Sequence, residues 1–138
     1  MVTIEELKKA NACGECIEWW REHPGDYELL AEEHPDWYLW GAGNIENWEK
    51  NSERLDRCAE HMPWEALQYA SDKLTPERID FCAEQEPWAA MRYVADKLTP
   101  ERLDLCAQKE PWAALQYAPH LLTPERKEWC QEQIRTVL

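Results

Sequence analysis

The chain has 138 residues, of which 28 are acidic and 15 are basic, and its formal net charge is −13. This length suits one ordinary domain with a buried core, and the negative charge disfavours direct binding to nucleic acid or to anionic membranes. No apolar run approaches the roughly 20 residues of a membrane span, and residues 2–11 lack the basic start and apolar stretch of a secretory signal. We therefore expect a cytosolic protein with reduced cysteines and no membrane or nucleic-acid contact.

Helix-start signals appear early in the chain. Thr3 and Glu6 have the spacing of a capping box, which predicts a first helix ending at about Ala10. A second helix is predicted from about Ala12, and a third follows Asp26 as its N-cap. The N-terminal fifty residues are therefore expected to be helical.

A fourth helix is predicted where residues 31–43, AEEHPDWYLWGAG, echo the AEQEPWAAMRYVA of residues 83–95. Gly41 and Gly43 are expected to end it, since glycine weakens a helix interior. An atypical first unit of this kind is typical of the caps of repeat proteins. Residues 1–50 are therefore predicted to form an acidic helical N-terminal cap.

The acidic surplus is concentrated in this cap, which holds 12 acidic and 4 basic residues. Seven of these carboxylates could line one partner-binding surface: Glu15, Glu18, Glu22, Glu28, Glu32, Glu33 and Asp36. The more ordinary interpretation is a solvated polar face that keeps a tryptophan-rich protein soluble. Three tryptophans of the cap are candidate aromatic anchors for a partner or, alternatively, core residues: Trp19, Trp37 and Trp48.

Cys13 and Cys16 form a CxxC motif, which in other settings carries redox chemistry or half of a zinc site, here with His23 or His34. No second CxxC and no surrounding strand pattern accompany the motif. The two cysteines also share an apolar helical spacing with Trp20. We therefore favour buried structural cysteines and expect neither a metal nor another cofactor.

From residue 51 onward the sequence repeats with a period of 24 residues and no gaps. The units are 51–74, 75–98, 99–122 and the partial unit 123–138. An N-cap opens one helix in each unit, and in the three full units a mid-unit proline ends that helix and opens another. Such short apolar helices need neighbours on both sides. The sequence predicts an all-α protein, a right-handed αα solenoid of 24-residue helix pairs that forms one continuous body with its cap.

Three residue types recur at fixed repeat positions and are assigned to packing. Tryptophan (Trp64, Trp88, Trp112) and cysteine (Cys58, Cys82, Cys106, Cys130) are predicted to lie in the core. A recurrent arginine also occurs in the first helix of each unit, followed two positions later by an acidic residue: Arg54, Arg78, Arg102 and Arg126. Because positions i and i+2 of one helix point apart, each arginine is expected to pair with a carboxylate of the adjacent unit instead.

The ALQYAS of residues 66–71 and the ALQYA of residues 114–118 resemble a short bacterial αα-repeat family of unknown function built around Ala-Leu-x-Tyr-Ala. The segments ACGECIEWW and HPDWYLWGAG and the TPER…PWAA units also resemble small uncharacterised phage and prophage proteins. The resemblance carries no catalytic residue. It implies a phage or mobile-element origin, where small acidic proteins frequently inhibit host defence, including as anti-CRISPR proteins.

No catalytic triad pattern, glycine-rich phosphate loop or HExxH is present in the sequence. We therefore expect a non-enzymatic protein-binding module, an acidic nucleic-acid mimic that blocks a basic, nucleic-acid-binding surface of a bacterial effector. The alternatives are a structural or adaptor scaffold, with a homodimer as one form, and a CxxC redox or zinc module.

Overall fold

The computed structural model describes residues 1–137, and all regular structure in that range is helical. The α-helices are α1 (Ile4–Lys9), α2 (Gly14–Glu22), α3 (Tyr27–Glu33), α4 (Pro35–Asn44), α5 (Ser52–His61), α6 (Pro63–Tyr69), α7 (Pro76–Gln85), α8 (Pro87–Tyr93), α9 (Pro100–Lys109), α10 (Pro111–Tyr117) and α11 (Pro124–Val137). Short 3₁₀ segments follow α6, α8 and α10 at Ser71–Lys73, Ala95–Lys97 and Pro119–Leu121. The predicted all-α class is confirmed.

The residues cluster into two compact units, Met1–Leu74 and Thr75–Leu138. The boundary at residue 50 and the single continuous body stay predictions. Across residues 1–137, no helix has both the length and the apolar character needed to cross a membrane.

Helix starts follow the capping signals of the sequence. The Thr3 hydroxyl accepts from the Glu6 backbone N–H at 3.1 Å, and the Glu6 carboxylate accepts from the Thr3 N–H at 3.1 Å, which completes the capping box. The Asp26 carboxylate caps α3 by accepting from the Leu29 N–H at 3.1 Å. Side-chain caps also open the first helix of every repeat, at Asn51, Thr75, Thr99 and Thr123. These starts are local properties of the chain.

The two glycines of α4 do not end that helix, which continues to Asn44. The prediction was wrong because both glycines serve close packing instead. A Cβ at Gly41 would lie 2.3 Å from the Trp48 ring, and a Cβ at Gly43 would lie 1.5 Å from the Tyr69 carbonyl oxygen. Glycine therefore lets α4 approach α6 backbone to backbone within Met1–Leu74.

Around α4, the core of Met1–Leu74 is largely aromatic. Trp48 stacks on Trp20 with ring centroids 6.0 Å apart and meets Tyr27 and Tyr38 edge-on. The Trp20 indole N–H donates to the Val2 carbonyl at 2.9 Å, which ties the N-terminus to this cluster. Edge-to-face pairs of this kind add to the stabilisation from area burial.

Successive helices of Thr75–Leu138 pack as nearest neighbours, with α7 against α9, α9 against α11 and α8 against α10. Arg102 donates to both carboxylate oxygens of Asp80, at 2.7 and 3.0 Å, and Arg126 does the same to Asp104, at 2.6 and 3.0 Å. The expected pairing between adjacent repeats is therefore confirmed for these two arginines. The geometry is bidentate, which adds orientation to the attraction.

The recurrent cysteines are buried, which confirms their assignment to the core. In Thr75–Leu138, the Cys106 thiol lies 3.8 Å from the Ala83 carbonyl and the Cys130 thiol lies 3.9 Å from the Ala107 carbonyl. Each thiol meets the equivalent backbone group of the preceding repeat. They behave as small apolar side chains with a weak S–H donor.

The recurrent tryptophans are less buried than the sequence predicted. Trp88 is half-buried and meets Tyr117 of the next second helix edge-on at 5.2 Å, whereas Trp112 is 57% exposed. Trp112 is more exposed than Trp88 because the last unit lacks the proline that divides the others into two helices. Arg135 occupies the repeat position of Pro111, so α11 is one continuous 14-residue helix. Within residues 124–137 no second helix forms that could cover Trp112.

Candidate functional site

Most of the seven predicted carboxylates lie at the surface of Met1–Leu74. Five are exposed, namely Glu15, Glu18 and Glu22 on α2 and Glu32 and Glu33 on α3, while Glu28 and Asp36 are half-buried. Between residues 10 and 49 the sequence holds ten acidic residues and a single lysine or arginine, Arg21, which pairs with Glu18. This part of the chain therefore presents a surplus of uncompensated negative charge.

Glu28 differs from the other six because two arginines bind it. Its oxygens accept from Arg57 at 3.1 Å and from the Arg54 Nε at 2.9 Å. Hydrogen bonds from Arg57 and then Arg54 lower the pKa of the Glu28 carboxyl. Arg54 also pairs with Glu49, which accepts from the Tyr38 hydroxyl at 2.8 Å. Glu28 thus belongs to a network that joins α3 to α5.

The three candidate tryptophans have different environments. Trp19 is half-buried and its indole N–H donates to Glu33 at 3.0 Å, which links α2 to α3. Trp37 is half-buried, and one ring face stacks on His34 at a centroid distance of 3.9 Å. Trp48 is only 8% exposed, so burial in the aromatic cluster removes it from the candidates for exposed anchors.

A cavity of about 370 Å³ brings Asp36 and Trp37 together with residues that sequence reasoning missed. We call it the acidic aromatic pocket; its lining is Asn11, Ala12, Cys13, Cys16, Asp36, Trp37, Trp40, Glu65 and Tyr69. The segment between α1 and α2, the first turn of α2, one stretch of α4 and one face of α6 supply these residues. Cavities of this size with aromatic walls and a few polar groups are typical of ligand sites.

Among the pocket residues that were not predicted, Glu65 could have been identified from the sequence. The equivalent positions of the next two repeats are Ala89 and Ala113, both fully buried, whereas Glu65 is half-buried. This departure from the repeat pattern makes Glu65 a candidate for a function beyond packing. Trp40 and Tyr69 carry no such signal, because aromatic residues are ordinary at helix packing positions.

The CxxC motif lies on the wall of this pocket with both thiols unpaired. Cys16 is buried as predicted, and burial raises its pKa to about 11. Cys13 is exposed, contrary to prediction, because α2 begins at Gly14 and leaves Cys13 as the N-cap residue outside the apolar face. A Cys16 thiol that stays protonated is a poor nucleophile. Among residues 1–137, no group of three or more His, Cys, Asp or Glu side chains is arranged to hold a metal ion.

No family model, no curated protein and no solved structure matches the chain.

Proposed function

We propose that this chain is a non-enzymatic protein-binding module whose acidic N-terminal surface binds a basic surface on another protein. Most concretely, it is a phage-type inhibitor of the anti-CRISPR kind, which acts in the host cytosol as a nucleic-acid mimic. It occupies the nucleic-acid-binding surface of a bacterial effector. Its 24-residue helix pairs stack as a right-handed solenoid.

One observation carries the proposal: carboxylates that the fold leaves uncompensated. In Met1–Leu74, Glu15, Glu22 and Glu32 are exposed, and none of their carboxylates has a hydrogen bond or ion pair within the described chain. In Thr75–Leu138, Asp80 and Asp104 are held bidentately by arginines, whereas Glu77, Glu101 and Glu125 are exposed and provide a matched comparison. Free carboxylates favour a basic partner and accelerate its association, and both effects decrease with salt.

The solenoid is supported by the local equivalence of the repeats. The N-cap residues Thr75 and Thr99 have the same extended backbone, and the C-cap residues Glu86 and Glu110 have nearly identical dihedral angles. Inside Thr75–Leu138 each first helix packs on the next. Nearest-neighbour packing of equivalent units is the defining property of solenoids.

The experiment immobilises the full chain, passes bacterial lysate over it at low salt and elutes with a salt gradient. A triple variant, E15Q/E22Q/E32Q, is run beside a control, E77Q/E101Q/E125Q, which removes three exposed carboxylates from Thr75–Leu138. We expect a nucleic-acid-binding protein to elute at moderate salt from the unmodified chain and the control, and much earlier from the first variant. Equal retention on all three proteins, or no basic protein bound, would contradict the proposal.

A scaffold or adaptor function is the second candidate, and exposed apolar residues favour it. Phe81, Leu105, Trp112 and Leu121 of Thr75–Leu138 are between 36% and 57% exposed. Exposed apolar residues that form one contiguous patch are typical of interaction surfaces, including homodimer contacts. This function is tested by light scattering on the purified chain: a stable dimer, together with partners retained through high salt, would favour it over the inhibitor.

A further inference from the structure

The acidic aromatic pocket combines two features of sites that bind organic cations. Trp37, Trp40 and Tyr69 contribute aromatic rings to its wall, and all three are half-buried. His34 covers one face of Trp37 by stacking at an interplanar angle of 14°. The faces of aromatic rings carry negative electrostatic potential and attract cations placed over them.

The second feature is a pair of carboxylates without partners. Asp36 and Glu65 both line the pocket and are half-buried, and neither carboxylate has a hydrogen bond or an ion pair within residues 1–137. Of the described residues that form the lining, none is lysine, arginine or histidine. Partial burial of an unpaired carboxylate is unfavourable, so a ligand that supplies positive charge and N–H donors would be bound strongly here.

Glu65 gives an independent reason to regard the pocket as built for a ligand. The repeat itself needs only a small apolar residue at this position, since Ala89 and Ala113 are fully buried there. The helix-pair packing therefore does not require glutamate here. Glu65 lies in the first turn of α6, where an acidic residue is favourable, and it also lines the open pocket.

We propose that the acidic aromatic pocket binds the guanidinium group of an arginine side chain presented by a partner protein. The identity of the partner rests on the proposed function, whereas binding of the guanidinium itself does not. A guanidinium is planar and weakly hydrated, stacks on indole rings and offers five N–H donors for two carboxylates. A lysine ammonium is compact and strongly hydrated, so it loses more on leaving water and matches the aromatic walls less well.

The test uses the full chain labelled with ¹⁵N and follows the indole N–H resonances by NMR during titration. The ligand is N-acetyl-arginine methylamide, whose only charge is the guanidinium. Its comparisons are the corresponding citrulline and lysine derivatives and tetramethylammonium chloride. We expect saturable shifts of the Trp37 and Trp40 resonances, which W37F and W40F assign, with arginine bound at least about tenfold more tightly than each comparison.

The decisive variant is E65A, because it installs the residue of the equivalent repeat positions and should keep the fold. We expect arginine to bind E65A at least about tenfold more weakly, and E46A, which removes an exposed carboxylate outside the pocket, to bind as the unmodified chain does. Citrulline binding equal to arginine, lysine or tetramethylammonium binding equal to arginine, or E65A binding unchanged would each overturn the proposal.

The outcome is separable from that of the proposed function. If the lysate experiment retains a basic partner but the arginine derivative does not shift Trp37 or Trp40, the pocket assignment fails and the acidic surface stands. If the derivative binds but no basic protein is retained, the pocket stands and the inhibitor function fails.

Discussion

The helix pair α5–α6 of Met1–Leu74 and the pairs of Thr75–Leu138 share their boundaries but differ in what their equivalent residues meet. Arg54 reaches Glu28 and Glu49, neither of which belongs to a repeat, whereas Arg102 and Arg126 reach the aspartates of the preceding repeat. A fully buried alanine in α8 and α10 is a half-buried glutamate in α6. The same helical frame therefore serves packing in one unit and a charged pocket in the other.

Exchanging the residues at this repeat position gives the largest expected effect. Glu65→Ala should leave the free energy of unfolding unchanged or raise it, because it removes an unpaired, half-buried carboxylate. Ala89→Glu should lower it by about 4 kcal/mol or more, since it forces a longer, charged side chain into a fully buried position. Urea unfolding followed by circular dichroism measures both, and similar losses would show that the two positions are equivalent after all.

The glycines of Met1–Leu74 give a second difference between the two units, since they permit a close approach of α4 to α6 that is specific to this unit. Gly43→Ala should lower the free energy of unfolding by about 2–4 kcal/mol, because its Cβ would lie 1.5 Å from the Tyr69 carbonyl oxygen. Gly14→Ala is the matched control, with no heavy atom within 4 Å of its Cβ, and should be neutral or stabilising by about 0.5 kcal/mol. A Gly43→Ala variant as stable as Gly14→Ala would refute the close approach of α4 and α6.

The glycines also show where sequence reasoning stops. Caps such as Thr3, Asp26 and Thr99 depend on residues three positions away, and all three form as predicted. Gly43 and Cys13 were assigned wrongly because their environment depends on distant segments or on the residue at which a helix begins. The sequence pattern around Gly43 or Cys13 does not indicate which distant residues each one will contact.

The residues of the acidic aromatic pocket likewise include some that the sequence predicted and others that it did not. Asp36 and Trp37 were singled out by local acidity and aromatic content, whereas Trp40 and Tyr69 were not, since packing alone explains aromatic residues in helices. Glu65 could have been found by comparing the repeats position by position, because a carboxylate replaces alanine there. In a repeat protein, the equivalent positions of the other repeats thus show which residue type packing alone requires.

The arginine–aspartate pairs of Thr75–Leu138 should give a smaller, pH-dependent effect. The hydrogen bond from Arg126 lowers the pKa of Asp104 below its ordinary value of 3.8. The pair therefore contributes fully above that value, and its contribution is lost as pH falls through the lower folded-state pKa. Because Asp104 is 42% exposed, solvent screening limits the loss in Asp104→Asn at pH 7 to about 0.5–1 kcal/mol.

Urea unfolding of Asp104→Asn and the unmodified chain at pH 7 and near pH 2 measures this dependence. The difference between the two proteins should shrink at the lower pH, where Asp104 becomes neutral. Glu101→Gln, which changes an exposed carboxylate without an arginine partner, is the control. A difference that stays constant between the two pH values would contradict a charge-based contribution.

The cysteine variants should have the smallest effect on stability, but the thiols themselves should differ clearly in reactivity. Cys13 is exposed, whereas burial raises the pKa of Cys16 and Cys106 to about 11 and that of Cys58 to about 12. At pH 8 we expect one of the six thiols to react rapidly with an aromatic disulfide reagent, and all six to react after denaturation. Cys13→Ser should abolish the rapid reaction while Cys58→Ser leaves it unchanged. Two rapid thiols that then form a disulfide with each other would instead favour the redox alternative for the CxxC motif, since a dithiol shuttle requires both sulfurs to be accessible to attack.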